Sequence, residues 1–291
     1  MRLTFTVAAV LAAVILSSNA RAQSPTAAAV CSLAAETGAS ERQLSSGGQP
    51  RSYRLFVPPG FAGGARLPLV LDLHGSGGTA QRQAATSRFE TLAAREGFLV
   101  ASLQAASSTG NRWNVPISGG RPDDVAYVSD VIDDIAALAC ADAARVYATG
   151  FSGGARMSSL LACKLNSRIA AIAPMAGLRW PAPCEGRAIP VLTLHGLADP
   201  QNTYDGGVPG RGGEWIESVP EALAGWAQYN GCDAGVIFED PPGPLSTMRY
   251  EGCRDGVDVR MVRVDGLAHQ WARDQVDATA AMWAFFRAYS L

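Results

Sequence analysis

Residues 150–154 read Gly150-Phe151-Ser152-Gly153-Gly154. Before them, Arg145-Val146-Tyr147-Ala148-Thr149 reads as a buried strand. After them, Ala155 to Cys163 reads as a helix. A turn this short between strand and helix forces its central residue into a strained backbone conformation. It also demands small residues on either side, here Gly150 and Gly154, so that strand and helix can approach. This feature limits the chain to an α/β architecture, with the Ser152 hydroxyl held up at the carboxyl edge of a sheet. The plain alternative is a glycine-rich turn that happens to contain a serine, and the rest of the chain decides between the two.

Strand-like and helix-like runs alternate along the chain. Residues 23–50 are small and polar and read as a loosely packed arm. Tyr53 to Val57 is the first expected strand, stopped by Pro58-Pro59-Gly60. Leu69 to Leu73 and Phe98 to Leu103 follow as strands, with one helix expected between them over residues 82–95. Asp123-Asp124 precedes a periodic apolar pattern through Leu138, which predicts a helix with acidic residues at its N-terminus, where the dipole favours them. Ile169 to Met175 and Pro190 to Leu194 are further apolar strands. Val219 to Trp226 reads as helix, Val257 to Val264 as a late strand, and Asp277 to Tyr289 as an amphipathic closing helix. Continuous apolar strands alternating with helices predict a mostly parallel central sheet with helices on both faces.

Arg2, the apolar stretch Leu3 to Leu16 and Ala20-Arg21-Ala22 form a secretory signal pattern over residues 1–22, too short to be a membrane anchor. Residues 23–291 are then expected to form one catalytic domain. The net charge is −2 with scattered charges, which argues for neither nucleic acid nor a membrane surface as partner. Six cysteines behind an export signal suggest disulfides. No C-x-x-C pair or cysteine–histidine cluster argues for a metal. Cys232 ends an expected helix and Cys253 follows the strand-like Thr247 to Tyr250, so a Cys232–Cys253 bridge would pin an excursion near the active-site side. Cys163–Cys184 would flank one strand–loop passage, and Cys31–Cys140 would tie the N-terminal arm to a helix end.

A serine hydroxyl is a weak nucleophile near neutral pH. It needs a base, a carboxylate to orient that base, and N–H donors for the oxyanion. The chain has only three histidines. His74 begins His74-Gly75-Ser76-Gly77-Gly78 after the second strand and is expected to hold that loop. The Ser76 N–H, with Gly77 as second choice, would complete an oxyanion hole with the Gly153 N–H. His195, at a strand terminus, reads as structural. Asp199 lies in the loop beyond it, at the carboxyl edge where sites form. His269 lies in a late loop before the closing helix. Asp265 is a rival acid, but it is too close in sequence to His269 for an easy contact. Ser152, Asp199 and His269 are therefore the expected nucleophile, acid and base, in an order unlike that of chymotrypsin-like or subtilisin-like proteases.

These motifs resemble the secreted polyhydroxybutyrate-depolymerase-type and feruloyl-esterase-type α/β-hydrolases. The resemblance rests on residues 74–78, Asp123-Asp124-Val125, residues 150–154 and His195-Gly196-Leu197-Ala198-Asp199-Pro200. It extends to Tyr204-Asp205-Gly206-Gly207, residues 218–222, Asn230-Gly231-Cys232, and Asp277-Ala278-Thr279 leading to Trp283. It implies the α/β-hydrolase fold and the same three roles for Ser152, Asp199 and His269. The chain departs from the family around the base, where Leu267-Ala268-His269-Gln270-Trp271-Ala272 stands in place of the frequent Gly-Gly-His-Thr-Trp-Pro.

The expected activity is hydrolysis of carboxylic esters through an acyl-enzyme, with no cofactor. The expected substrates are feruloyl or acetyl esters of plant polysaccharide fragments, or short hydroxyalkanoate esters. Trp113 and Trp271 are candidates for the wall of an aromatic pocket, with buried packing the expected role of at least one of them. A prolyl-oligopeptidase-like peptidase and a non-catalytic exported binding protein of the same fold are the alternatives. Their discriminating observation is turnover of esters against peptide amides.

Overall fold

The computed structural model describes residues 36–61, 64–207 and 216–291. The chain enters through a hairpin, β1 (Gly38–Ser46) and β2 (Gln49–Val57), turned at Gly47-Gly48. Next come β3 (Leu67–Leu73), α1 (Ala80–Ser87), α2 (Phe89–Glu96), β4 (Leu99–Leu103) and α3 (Asp124–Ala139). The centre follows with β5 (Ala141–Phe151), α4 (Gly153–Lys164), β6 (Ala171–Met175) and β7 (Val191–Gly196). The chain closes through α5 (Val219–Tyr229), β8 (Val236–Glu239), β9 (Leu245–Tyr250), β10 (Val259–Val264) and α6 (Ala278–Phe286). Among the described residues the strands form one sheet in the order β1-β2-β4-β3-β5-β6-β7-β10-β9-β8. The six strands from β4 to β10 in that order pair in parallel, and both flanks are antiparallel.

Side-chain alternation splits the core into two layers. Leu69, Leu71 and Leu73 of β3 face the layer of Val128 and Ile135 from α3, Leu161 from α4 and Trp226 from α5. Val70 faces the opposite layer with Phe89 from α2 and Met282 and Phe286 from α6. Helices thus cover both faces, and the carboxyl ends of β3, β5, β6 and β7 open onto one edge. No helix among the described residues is long and apolar enough to cross a membrane.

Three expectations need correction. The arm expected over residues 23–50 contains β1 and the first two residues of β2, Gln49 and Pro50. β1 alternates between exposed and half-buried residues and pairs on one side only, so it carries no apolar signal. The single helix expected over residues 82–95 is two helices, broken at Arg88 with φ 59°. There the Ser87 hydroxyl donates to the buried Asp72 carboxylate and accepts the Phe89 N–H at 3.4 Å, competing with the helical ladder. Last, the disulfide Cys232–Cys253 lies at the other end of the sheet from Ser152. Tyr250 at the end of β9 pairs with Val259 at the start of β10, and the site gathers where β7 and β10 finish. Cys163–Cys184 is also bonded, and Cys140 is not a free thiol. The expected Cys31–Cys140 bridge and the leader over residues 1–22 lie outside the described residues.

Candidate active site

The turn after β5 is built as the glycines require. Ser152 sits at φ 54° and ψ −112°, a conformation seldom taken by a residue with a side chain, and its N–H donates to the Met175 carbonyl at 3.0 Å. A Cβ on Gly154 would run into the Leu73 carbonyl oxygen. One on Gly150 would lie 2.5 Å from the same oxygen. β3 and α4 therefore close together beneath Ser152 only because both positions lack side chains.

Three elements converge on the hydroxyl. His269 Nε2 lies 2.9 Å from Ser152 Oγ, and His269 Nδ1 lies 2.6 Å from Asp199 Oδ2. A carboxylate can only accept, so Nδ1 carries the proton and Nε2 is left to accept from the serine hydroxyl. The Asp199 side chain is fully buried and that of His269 is 7% exposed. Burial works to raise the Asp199 pKa. The hydrogen bond from His269 and the N–H groups of Asn202 and Gln201 outweigh it and hold the carboxyl below its ordinary value. The loops carrying Asp199 and His269 are tied together. The Ala198 N–H donates to the Leu267 carbonyl at 3.1 Å, and a Cβ on Gly196 would collide with that carbonyl. Asp265 is instead spent on its neighbour, accepting the Gly266 N–H at 2.9 Å.

The other two histidines serve the scaffold. His195 is fully buried, and its Nε2–H donates to the Asn202 carbonyl at 2.7 Å, shaping the loop that holds Asp199. Burial lowers its pKa and keeps the ring neutral. His74 Nδ1–H donates to the Gly75 carbonyl at 2.7 Å, and Nε2 accepts the Ala105 N–H at 3.1 Å. Its loop lies against the turn: a Cβ built on Gly153 would sit 3.0 Å from the Ser76 nitrogen. The Gly77 N–H is committed to the Asn111 carbonyl at 3.0 Å. The N–H groups of Ser76 and Gly153 make no protein hydrogen bond among the described residues.

Trp113 and Trp271, expected as pocket walls, are only 3% and 5% exposed. The Trp113 indole donates to the His74 carbonyl at 2.8 Å. The Trp271 indole donates to Thr279 Oγ1 at 3.1 Å and packs edge-on against Phe89. Both indoles are committed to packing. The aromatic that does flank His269 is Phe151, whose ring centroid lies 4.7 Å from that of His269. The nucleophile motif itself contains this residue, so it was open to being found. Among the described residues no cluster of histidine, cysteine or acidic side chains fits a metal ion. A cleft lined by Glu239, Arg249, Glu251 and Asp258 carries charges of both signs but sits around the start of β10, away from Ser152.

A family model described as Esterase PHB depolymerase matches residues 51–212. The chain belongs to this family. Feruloyl esterase B of Piromyces equi is 31% identical over 259 residues, covering 83% of this chain and 46% of that protein, so the chain spans less than half of that relative. Feruloyl esterase C of Emericella nidulans is 26% identical over 243 residues, covering 82% of this chain and 84% of that protein. Among solved structures, an acetyl xylan esterase from Aspergillus awamori superposes with a TM-score of 0.61 at 15% identity, covering 85% of this chain and 99% of that one. At that identity it speaks to the fold, which is the α/β-hydrolase fold. The family and its relatives make the chain a carboxylic ester hydrolase.

Proposed function

We propose that the chain is an exported serine esterase in which Ser152 is the nucleophile, His269 the general base and Asp199 its orienting acid. The observation that carries this reading is the continuous hydrogen-bond chain from Ser152 Oγ through His269 to Asp199, set beside the N–H groups of Ser76 and Gly153. Ser152 Oγ attacks the ester carbonyl while His269 Nε2 takes its proton. The carbonyl oxygen gains negative charge and is received by the Ser76 and Gly153 N–H groups. His269 returns the proton to the departing alcohol. Water then enters, gives a proton to His269 and attacks the acyl-enzyme; the acid leaves as His269 returns that proton to Ser152 Oγ.

The substrates proposed are feruloyl or acetyl esters of plant polysaccharide fragments, with short hydroxyalkanoate esters second. Support comes from the names of the relatives, two of which are feruloyl esterases. Residues 1–22 are proposed as a secretory leader. Disulfides support this, because they persist in oxidising compartments. N-terminal sequencing of the exported chain should then begin at Gln23.

The test is Ser152→Ala, assayed on p-nitrophenyl acetate, methyl ferulate, hydroxybutyrate oligomers and peptide amides. The variant should keep its melting temperature and lose about four or more orders of magnitude in kcat on esters. Retention of more than a few per cent of activity, or a wild-type preference for amides, overturns the assignment.

A further inference from the structure

The Asp123-Asp124 motif has no part in the ester chemistry described above, yet one of its carboxylates is buried deep beside the oxyanion loop. The Asp124 side chain is 3% exposed and that of its partner Arg51 is 4% exposed, with Arg51 Nη2 2.7 Å from Asp124 Oδ1. The Arg51 guanidinium lies over the Tyr127 ring at 3.8 Å. Asp123 caps α3 by accepting the Val125 and Ala126 N–H groups, which fixes where Asp124 sits. The second Asp124 oxygen, Oδ2, accepts the Asn114 N–H at 2.7 Å. Asn114 follows Trp113, and the segment ending there grips the oxyanion loop at three points. The Ala105 N–H donates to the His74 ring, the Trp113 indole to the His74 carbonyl, and the Gly77 N–H to the Asn111 carbonyl. Ser76 lies between the gripped residues and is itself exposed.

We infer that Asp124, paired with Arg51, is a positioning residue that acts through Asn114 and Trp113 to aim the Ser76 N–H at the reacting oxygen. The reasoning is geometric. An oxyanion donor works only when it is held in place before the charge develops. Ser76 makes no protein hydrogen bond of its own among the described residues, so its direction is inherited from His74 and Gly77. Those residues are held by a loop segment whose far end is fastened to a buried, charge-assisted hydrogen bond. A buried ion pair is a weak source of stability compared with apolar packing of the same volume, so holding a register is the better account of its presence.

The inference rests on the proposed esterase mechanism, and its test separates the two. Trp113→Phe removes the indole N–H and keeps an aromatic ring. It should lower kcat on p-nitrophenyl acetate by roughly 10- to 100-fold, with KM within about twofold. The pH profile of kcat/KM should stay unshifted, because the Ser152–His269–Asp199 contacts are untouched. Phenylboronic acid supplies a second readout. Its boron forms a bond to Ser152 Oγ as the proton passes to His269, and the tetrahedral adduct presents an oxygen where the oxyanion forms. Its affinity should fall by the same factor as kcat. The charge-neutral double variant Asp124→Asn/Arg51→Gln must show the same pattern, and it is read alone if Trp113→Phe fails to fold. A folded variant with wild-type kcat, or a loss of kcat with unchanged boronate affinity, overturns the inference. Ser152→Ala is run beside them. If it is inactive while Trp113→Phe is normal, the clamp is wrong and the esterase mechanism stands. If it turns over ester, the mechanism itself falls.

Discussion

At Ser152 the chain holds a strained backbone on four glycines, three of them required by a backbone atom. Gly150 and Gly154 clear the Leu73 carbonyl, Gly153 clears Ser76, and Gly177 clears the Ser152 carbonyl, which a Cβ would approach to 2.5 Å. The histidines separate in the same way, by what their nitrogens meet. His269→Ala should abolish ester turnover in a protein that still folds. His195→Ala should instead destabilise by about 2–4 kcal/mol, leaving a cavity and an unpartnered Asn202 carbonyl. Thermal melts and kinetics on both variants check this, and the reversed pattern would assign the base to the wrong histidine. Asp72 offers a separate test. It is fully buried, accepts from Gln83 and Ser87, and burial raises its pKa from 3.8 to about 6. The folded state therefore holds this proton more tightly than the unfolded state. The group's favourable contribution is complete below its ordinary pKa and is lost as pH rises through 6. Asp72→Asn keeps the shape and removes that slope. Its stability relative to wild type should rise between about pH 4 and 6 and then level off, by up to about 3 kcal/mol. Urea unfolding across that range measures it, and a constant gap would contradict it.

Elements meet here through their ends. α1 closes on Arg88 in the left-handed region, where its N–H satisfies the Ala84 carbonyl. Glycine tolerates that conformation without a Cβ penalty. Arg88→Gly should stabilise by about 0.5–1 kcal/mol, read as a shift in the denaturation midpoint at unchanged slope. α5 opens with a full capping box, Ser218 and Glu221, next to Pro220, and that boundary was legible because capping chemistry is local. The break at Arg88 was not legible. It depends on Ser87 reaching Asp72, fifteen residues earlier in the chain and on another element.

Across the whole molecule, chemistry collects at one end of the sheet and the Cys232–Cys253 staple at the other. The double variant Cys232→Ser/Cys253→Ser should lose roughly 3 kcal/mol of stability by the chain-entropy account while keeping kcat/KM at 25 °C. Guanidinium unfolding and steady-state kinetics decide this, and a large loss of activity in the folded variant would place the bridge functionally nearer the site than the sheet does. The amino-acid sequence by itself determined the fold class and which three residues meet at the site. Strand and helix periodicity are local signals, the turn at Ser152 tolerates few residue types, and three histidines in chain order leave little choice. Only the tertiary structure decided the rest. It buried Trp113 and Trp271, exposed β1 and β8 as weakly patterned edges, and set the bridge at the far end. It also joined Arg51 and Asp124 in a buried pair. Each of these depends on contacts between residues distant in sequence, where what a side chain does is set by the partner that packing brings to it.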